Sequence, residues 1–291
     1  MIATMTKFSL IFSIFFYMGT SAFSQSTDVV YPHPPVLPDE RANYAIEVIK
    51  LALFETQDDY GAWTVHYSAD PMERPRMEAA VEKGVLAQVT MLPGSNAYDE
   101  RFILVPIPID KGLIGYRVSL IHRNNRTLFQ RVASLSDVKN AKACLARSWN
   151  ITKVFEDNGL QVVKSDKFSD LFKLLHNNRC DYFSRGVGEI QGELAFWSNT
   201  YRDIAIDPYV LLRTPMAFYL YVSKSHPELA KRLEVGIRRA LEDGRFDELF
   251  HREFKSNIDA LKMRGRKVIE LKMLQAHKKA PLDDLHLWFH P

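Results

Sequence analysis

Long apolar runs are scarce in this chain. The one that stands out, Phe8 to Met18 behind Lys7, falls short of the ~20 residues a membrane-spanning helix needs. Ala22-Phe23-Ser24 sets small residues at the −3 and −1 positions of a cleavage site before Gln25, so residues 1–24 are expected to be a cleaved signal peptide. Cysteine is almost absent. Of the two, Cys144 comes first, so no lipid-bearing cysteine follows the signal. The pair allows one disulfide in an oxidising compartment, or two buried thiols. Its spacing, Cys144 to Cys180, is not that of a zinc site. A charge excess is missing too. The formal +3 drops to +2 without Lys7, which argues against nucleic acid as a partner, and the lysines and arginines from Lys262 to Lys279 read as a solvated face.

Catalytic signatures are equally thin. There is no G-x-S-x-G, H-E-x-x-H, G-x-x-x-x-G-K-[ST] or G-x-G-x-x-G, and His122, His176, His226 and His251 stand alone without metal-ligand spacing. No catalytic residue, metal or cofactor is predicted.

What is present is alternation of strands and helices. "DVVYPH", a helix with the apolar stripe Ala45, Val48, Ile49 and Ala52 behind a cap at Asp39, "WTVHYS", a helix stopped by Gly84, and "VLAQVTM" read β-α-β-α-β. The series restarts near Leu135: "AKACLA", a helix from Ser148, "LQVVKS", "SDLFKLLHNN", "CDYFSR". Two α/β lobes are therefore expected, each a mostly parallel sheet flanked by helices. "MAFYLYVSK" is a further strand, and Leu229, Leu233, Ile237 and Leu241 mark a strong helix between Ser225 and Gly244.

Two places suggest recognition. Arg101 follows the strand-loop "VTMLPGSNAYDE"; ligands of α/β sheets bind beyond the carboxyl ends of strands, and a guanidinium there offers a fork to a carboxylate or phosphate. The alternative is a salt bridge with Asp99 or Glu100. In "ARSWNIT" a helix begins, with unpaired N–H groups and a favourable dipole for an anion. There Ser148, Asn150 and Thr152 cap the helix or touch a ligand, and Trp149 stacks on a ligand body or fills the core.

The order of elements over about residues 28–255 resembles the type II periplasmic solute-binding proteins, the family of amino-acid-binding components of ABC transporters. "VEKGVLAQVTMLPGSNAYDERFILVPIPI", "SLSDVKNAKACLARSWN", "LFKLLHNNRCDYFSRG" and "HPELAKRLEVGIRRALEDGRFDELF" carry the likeness. "KGLIGYRV" and "DYFSRGVGE" are similar to a less characterised exported subgroup. The resemblance implies a soluble, monomeric periplasmic protein. It would be non-enzymatic and hold a small polar or anionic molecule between lobes, for uptake with an inner-membrane permease or for sensing through a receptor. An interaction module for a receptor or cell-wall component, or an enzyme on the same fold using Glu189 or Asp181, are the alternatives. Its implied divisions are 25–118 for lobe 1, 119–215 for lobe 2, and 216–291 for the rest of lobe 1 with a C-terminal extension. By resemblance, Arg101 holds a ligand carboxylate and Ser148 to Asn150 assist. The family's amino-group aspartate would fall near Gly186, where it is absent. Its neighbour Arg185, opposite Arg101, would suit an anion.

Overall fold

The computed structural model describes residues 26–35, 40–274 and 276–291. The expected signal peptide, its cleavage site and the cap at Asp39 lie outside them. Among the described residues no helix is long and apolar enough to cross a membrane.

The chain runs β1 (Thr27–His33), α1 (Glu40–Phe54), α2 (Gln57–Tyr60), β2 (Trp63–Pro71), α3 (Arg74–Lys83), β3 (Val89–Pro93), α4 (Asn96–Arg101) and β4 (Ile103–Leu104). It then crosses to a second lobe: β5 (Tyr116–His122), α5 (Leu135–Val138), β6 (Lys142–Ala146), α6 (Asn150–Asp157), β7 (Gln161–Ser165), α7 (Phe168–His176), β8 (Tyr182–Gly186), α8 (Ile190–Trp197), β9 (Ile204–Ile206) and β10 (Val210–Arg213). The return is β11 (Phe218–Val222), α9 (Pro227–Glu242), α10 (Arg245–Leu261) and β12 (Lys267–Glu270).

The two-lobed α/β architecture is as expected, but the sheets are mixed. Strands β1 and β2 pair in parallel, whereas β11 pairs antiparallel with both β3 and β4. In the seven-stranded sheet β6 is parallel to β7 and β8, and β5 is antiparallel to β8, β9 and β10. The crossings explain this. Strand β5 leaves the hinge as β10 returns to it, and β4 approaches the hinge as β11 departs, so each such pair runs in opposite senses.

The apolar stripes pack as their periodicity requires. Ala45, Val48, Ile49 and Ala52 of α1 meet Leu233 and Ile237 of α9 in the first lobe's core. Strand β5 is buried along its whole length, between β8 and β10. Cys144 and Cys180 form a disulfide, with Cα atoms 5.7 Å apart, that ties β6 to the approach to β8 around α6, β7 and α7. Closing a loop of this length is expected to stabilise the fold by about 3–4 kcal/mol. Chemical denaturation of the Cys144→Ser, Cys180→Ser double variant should show that loss; an unchanged midpoint would contradict it.

The segment after α10 was expected to extend lobe 1. Instead, β12 lies parallel to β10 in the second lobe's sheet, because Leu271 continues the ladder by donating to the Arg213 carbonyl (2.7 Å). The Asn158 amide then mimics a strand partner, accepting from the Lys272 N–H (2.9 Å) and donating to its carbonyl (2.7 Å). Only beyond this does the chain reach lobe 1, where Asn96 brackets Ala276 and Lys278 and His277 pairs with Asp99 at 3.1 Å. It ends on the hinge: the Phe289 N–H donates to the Lys111 carbonyl (2.7 Å), and Trp288 covers Gly112. At Gly112, with φ 73°, a Cβ would lie 2.4 Å from the indole, so glycine serves both the turn and the contact. Removing residues 278–291 takes away the packing of Leu287, Trp288 and Phe289 and exposes the surface beneath them. The expected cost is about 3–5 kcal/mol, seen as a lower melting temperature; an unchanged melt would free these aromatics for a partner.

Candidate functional site

Between the lobes lies a cavity of about 410 Å³. It opens where β1, β3, β6 and β8 end: Pro34 and Pro35 follow β1, Pro93 closes β3, Ser148 to Asn150 follow β6, and Arg185 ends β8. The carboxyl ends of strands thus face each other across it, as expected for a ligand site in an α/β fold.

The floor belongs to lobe 2. Arg117, the second residue of β5, is 3% exposed and lines the cavity. Its Nε donates to Ser184 Oγ (3.2 Å), Nη2 to the Ser184 carbonyl (2.8 Å) and Nη1 to the Ile114 carbonyl (3.4 Å). All three acceptors are neutral. They use three of the five guanidinium N–H donors and leave two. Burial pulls its pKa down to about 10, against the pull of Glu189, so it carries its charge at neutral pH. Arg232 shows a different arrangement for a buried arginine in this chain. It has four neutral acceptors, on Thr27, Leu53, Thr56 and Gly61, and borders no part of this cavity.

Arg185 is also buried, 4% exposed, but its charge is met by carboxylates. Its Nε donates to Glu193 at 2.5 Å, its Nη2 contacts Glu193 and, at 3.1 Å, Glu189. The guanidinium lies 4.6 Å from the Trp149 ring centre and 5.3 Å from those of Phe168 and Phe183. Glu189 in turn accepts from the Gly186 N–H (3.1 Å) and from Arg41 (3.2 Å). Burial pushes the Glu189 carboxyl up, but Arg185, Arg41 and Arg117 outweigh it and hold the pKa near about 2. A side chain at Gly186 would displace its neighbours. A Cβ there would stand 2.8 Å from Ile114 Cδ1 and 3.0 Å from Glu189 Oε2.

The start of α6 supplies the lobe 2 wall. Ser148, Trp149 and Asn150 line the cavity, and Trp149 stacks on Phe183 at 6.1 Å and 13°. Thr152 does not reach it: its hydroxyl donates to the Ala146 carbonyl (2.7 Å), pinning the helix start to the end of β6. Lobe 1 supplies an apolar wall with Met72, Met77, Met91, Met216 and Phe218, and a charged rim with Arg41, Glu73 and Arg74.

Arg101 is the clear correction. It does not line this cavity. It ends the short helix α4, which packs beside α3, and its guanidinium meets Glu78 at 2.7 Å and Glu82 at 2.9 Å. Sequence spacing placed the salt bridge with Asp99 or Glu100, but the carboxylates one and two turns along the neighbouring helix are the ones in reach. Asp181, the other acid considered, accepts from the Lys142 N–H (2.7 Å) and joins β6 to β8.

No family model matches the chain, and no curated protein matches it. Solved structures do. An ancestral arginine-binding protein bound to arginine aligns at 18% identity, over 79% of this chain and 98% of that one, with a TM-score of 0.54. An amino acid ABC transporter substrate-binding protein from Streptococcus pneumoniae, bound to L-arginine, aligns at 17% over 80% and 96%, with a TM-score of 0.54. A histidine kinase sensor domain with similarity to periplasmic binding proteins aligns at 17% over 78% and 95%, with a TM-score of 0.56.

The fold is that of the two-lobed type II periplasmic binding proteins. Within this binding-protein fold the structure brings together Ser148, Trp149, Asn150 and Arg185, excludes Arg101 from the cavity, and adds Arg117 and Glu189 to it. Arg117 is the residue that sequence reasoning missed. The signal was a lone charge inside the apolar run "KGLIGYRV", which a core strand tolerates only with a purpose-built partner. For Arg101→Ala, a half-exposed ion pair is lost at a cost of about 0.5–1 kcal/mol. The ligand-free melt should fall slightly and any solute affinity stay within about twofold; a large loss of affinity would return Arg101 to the site.

Proposed function

We propose that this protein is an exported solute-binding protein that captures a small anionic molecule between its lobes, for uptake through a permease or for sensing through a receptor. The observation that carries this is Arg117: a buried, charged guanidinium at the floor of the interlobe cavity, with neutral acceptors and two spare N–H donors. A carboxylate or phosphate entering from the cavity mouth completes its coordination. The N–H groups at the start of α6 face the same space and favour the same sign of charge.

Glu189, the floor carboxyl that borders the cavity, favours binding over acid-base chemistry. A carboxyl working as a general base near neutral pH is tuned upward, towards 7. Glu189 is held the other way, and its oxygens are occupied by Arg185, Arg41 and the Gly186 N–H.

Thermal shift against a library of organic acids, phosphates, amino acids, sugars and polyamines tests this directly. A solute at a hundredfold over Kd stabilises by about 2.7 kcal/mol. Anions are expected to raise the melting temperature. No shift with any of these compounds would contradict the proposal.

A further inference from the structure

We infer that, given the solute-binding role above, the cavity selects a carboxylate with an apolar aryl or alkyl body and no ammonium group. Three observations carry this.

The first is the charge of the floor. Arg185 is met by Glu189 and Glu193, whereas Arg117 meets only neutral acceptors. One buried positive charge, that of Arg117, therefore has no carboxylate in contact. A monocarboxylate neutralises it. A zwitterion adds no net charge and must also desolvate its ammonium, which costs several kcal/mol without an acceptor.

The second is that the floor offers no such acceptor. Glu193 is taken by Arg185, and Glu189 by Arg185, Arg41 and the Gly186 N–H. Position 186, a glycine, supplies none, and the tips of Ile114 and Glu189 occupy the space beside it. Glu73, the other carboxylate that lines the cavity, is exposed on the lobe 1 rim.

The third is the opposite wall. The sequence holds nine methionines, three of them within the first 24 residues. Of the remaining six, Met72, Met77, Met91 and Met216 line this one cavity, with Phe218 beside them. Thioethers are polarisable and adapt to irregular shapes, and sulfur against an aromatic edge is attractive. On lobe 2, Trp149 offers an indole next to the cavity. A flat or flexible apolar body sits between these surfaces while its carboxylate meets Arg117.

Calorimetric titration of the wild-type protein with matched probes tests the inference and needs no variant to fold. The probes are 3-phenylpropanoate, phenylalanine and 2-phenylethylamine, then 4-methylpentanoate and leucine. Each des-amino acid is expected to bind at least about tenfold tighter than its amino acid, and the amine not at all. Equal or tighter binding of phenylalanine or leucine overturns the inference. If no probe binds but succinate, citrate or inorganic phosphate does, the ligand class is wrong while the solute-binding role stands. If no small molecule binds, both fall.

Discussion

Replacing Arg117 with alanine is expected to weaken binding of an anionic solute by about a hundredfold or more. The two spare N–H donors of Arg117 point to a bidentate contact, and a hydrogen bond to a charged group contributes about 1.5–3 kcal/mol. Losing both removes at least about 2.7 kcal/mol, which corresponds to that factor in Kd. Arg117→Lys keeps the charge without the fork, so affinity should recover only in part. The alanine variant also loses the bonds to Ser184, which hold β5 against β8, and the bond to the Ile114 carbonyl in the turn before β5. Affinity and melting temperature therefore need to be read together. A variant that is less stable yet binds with unchanged affinity would show that Arg117 is a structural arginine like Arg232. Between pH 6 and 8.5 the wild-type affinity should be nearly flat, since burial pulls Arg117 down only to about 10 and the neighbouring arginines hold Glu189 well below the usual carboxylate range.

Arg185→Ala is expected to cost about 3–5 kcal/mol of stability at pH 7. It strips Glu189 and Glu193 of their shared partner and leaves two carboxylates buried near one another, the situation in which breaking a buried pair is most destabilising. The pH dependence gives this a signature. In the wild type the Glu189 pKa is depressed, so its contribution is present above the ordinary carboxyl value and is lost only as pH falls through about 2. In the variant the same carboxyl, now buried without Arg185, shifts upward and contributes stability that is lost as pH rises. The difference between the two proteins should therefore shrink from pH 7 to pH 5. Urea unfolding at both values measures it. A difference below about 1 kcal/mol at pH 7, or one that does not shrink on acidification, would contradict the cluster's role.

Much of the fold was legible. The stripe Ala45-Val48-Ile49-Ala52 and the four-residue recurrence of Leu229, Leu233 and Ile237 marked two helices and the faces they bury, because helical periodicity and burial are the same fact seen twice. The restart near Leu135 marked the second lobe. Strand direction was less accessible. Parallel sheets were inferred from β-α-β order, and that inference breaks where the chain changes lobe, as at β5 and β11, since the hinge reverses the strands it feeds. The strap was also out of reach: β12 finds β10 through backbone hydrogen bonds that any sequence can make, and Asn158 and Asn96 act as anchors only because of where the fold puts them.

The site followed the same division. "ARSWNIT" was readable because a strand end and a helix start are local events, and Ser148, Trp149 and Asn150 do border the cavity. Arg101 was misplaced because its partners, Glu78 and Glu82, lie on a helix about twenty positions earlier, and that proximity is tertiary. Arg117 hid within an apolar run, where a single charge reads as an oddity until the neighbouring Ser184, Gly186 and Glu189 are placed around it.

A crystal structure of the protein, purified without stripping any bound solute, is the most direct measurement of where and what it binds. The expected result is an anionic group about 2.7–3.0 Å from the Arg117 guanidinium, with its apolar body between Trp149 and the methionine wall. A solute anchored on Arg101, or one that holds an ammonium against Glu189 and leaves Arg117 untouched, would contradict it.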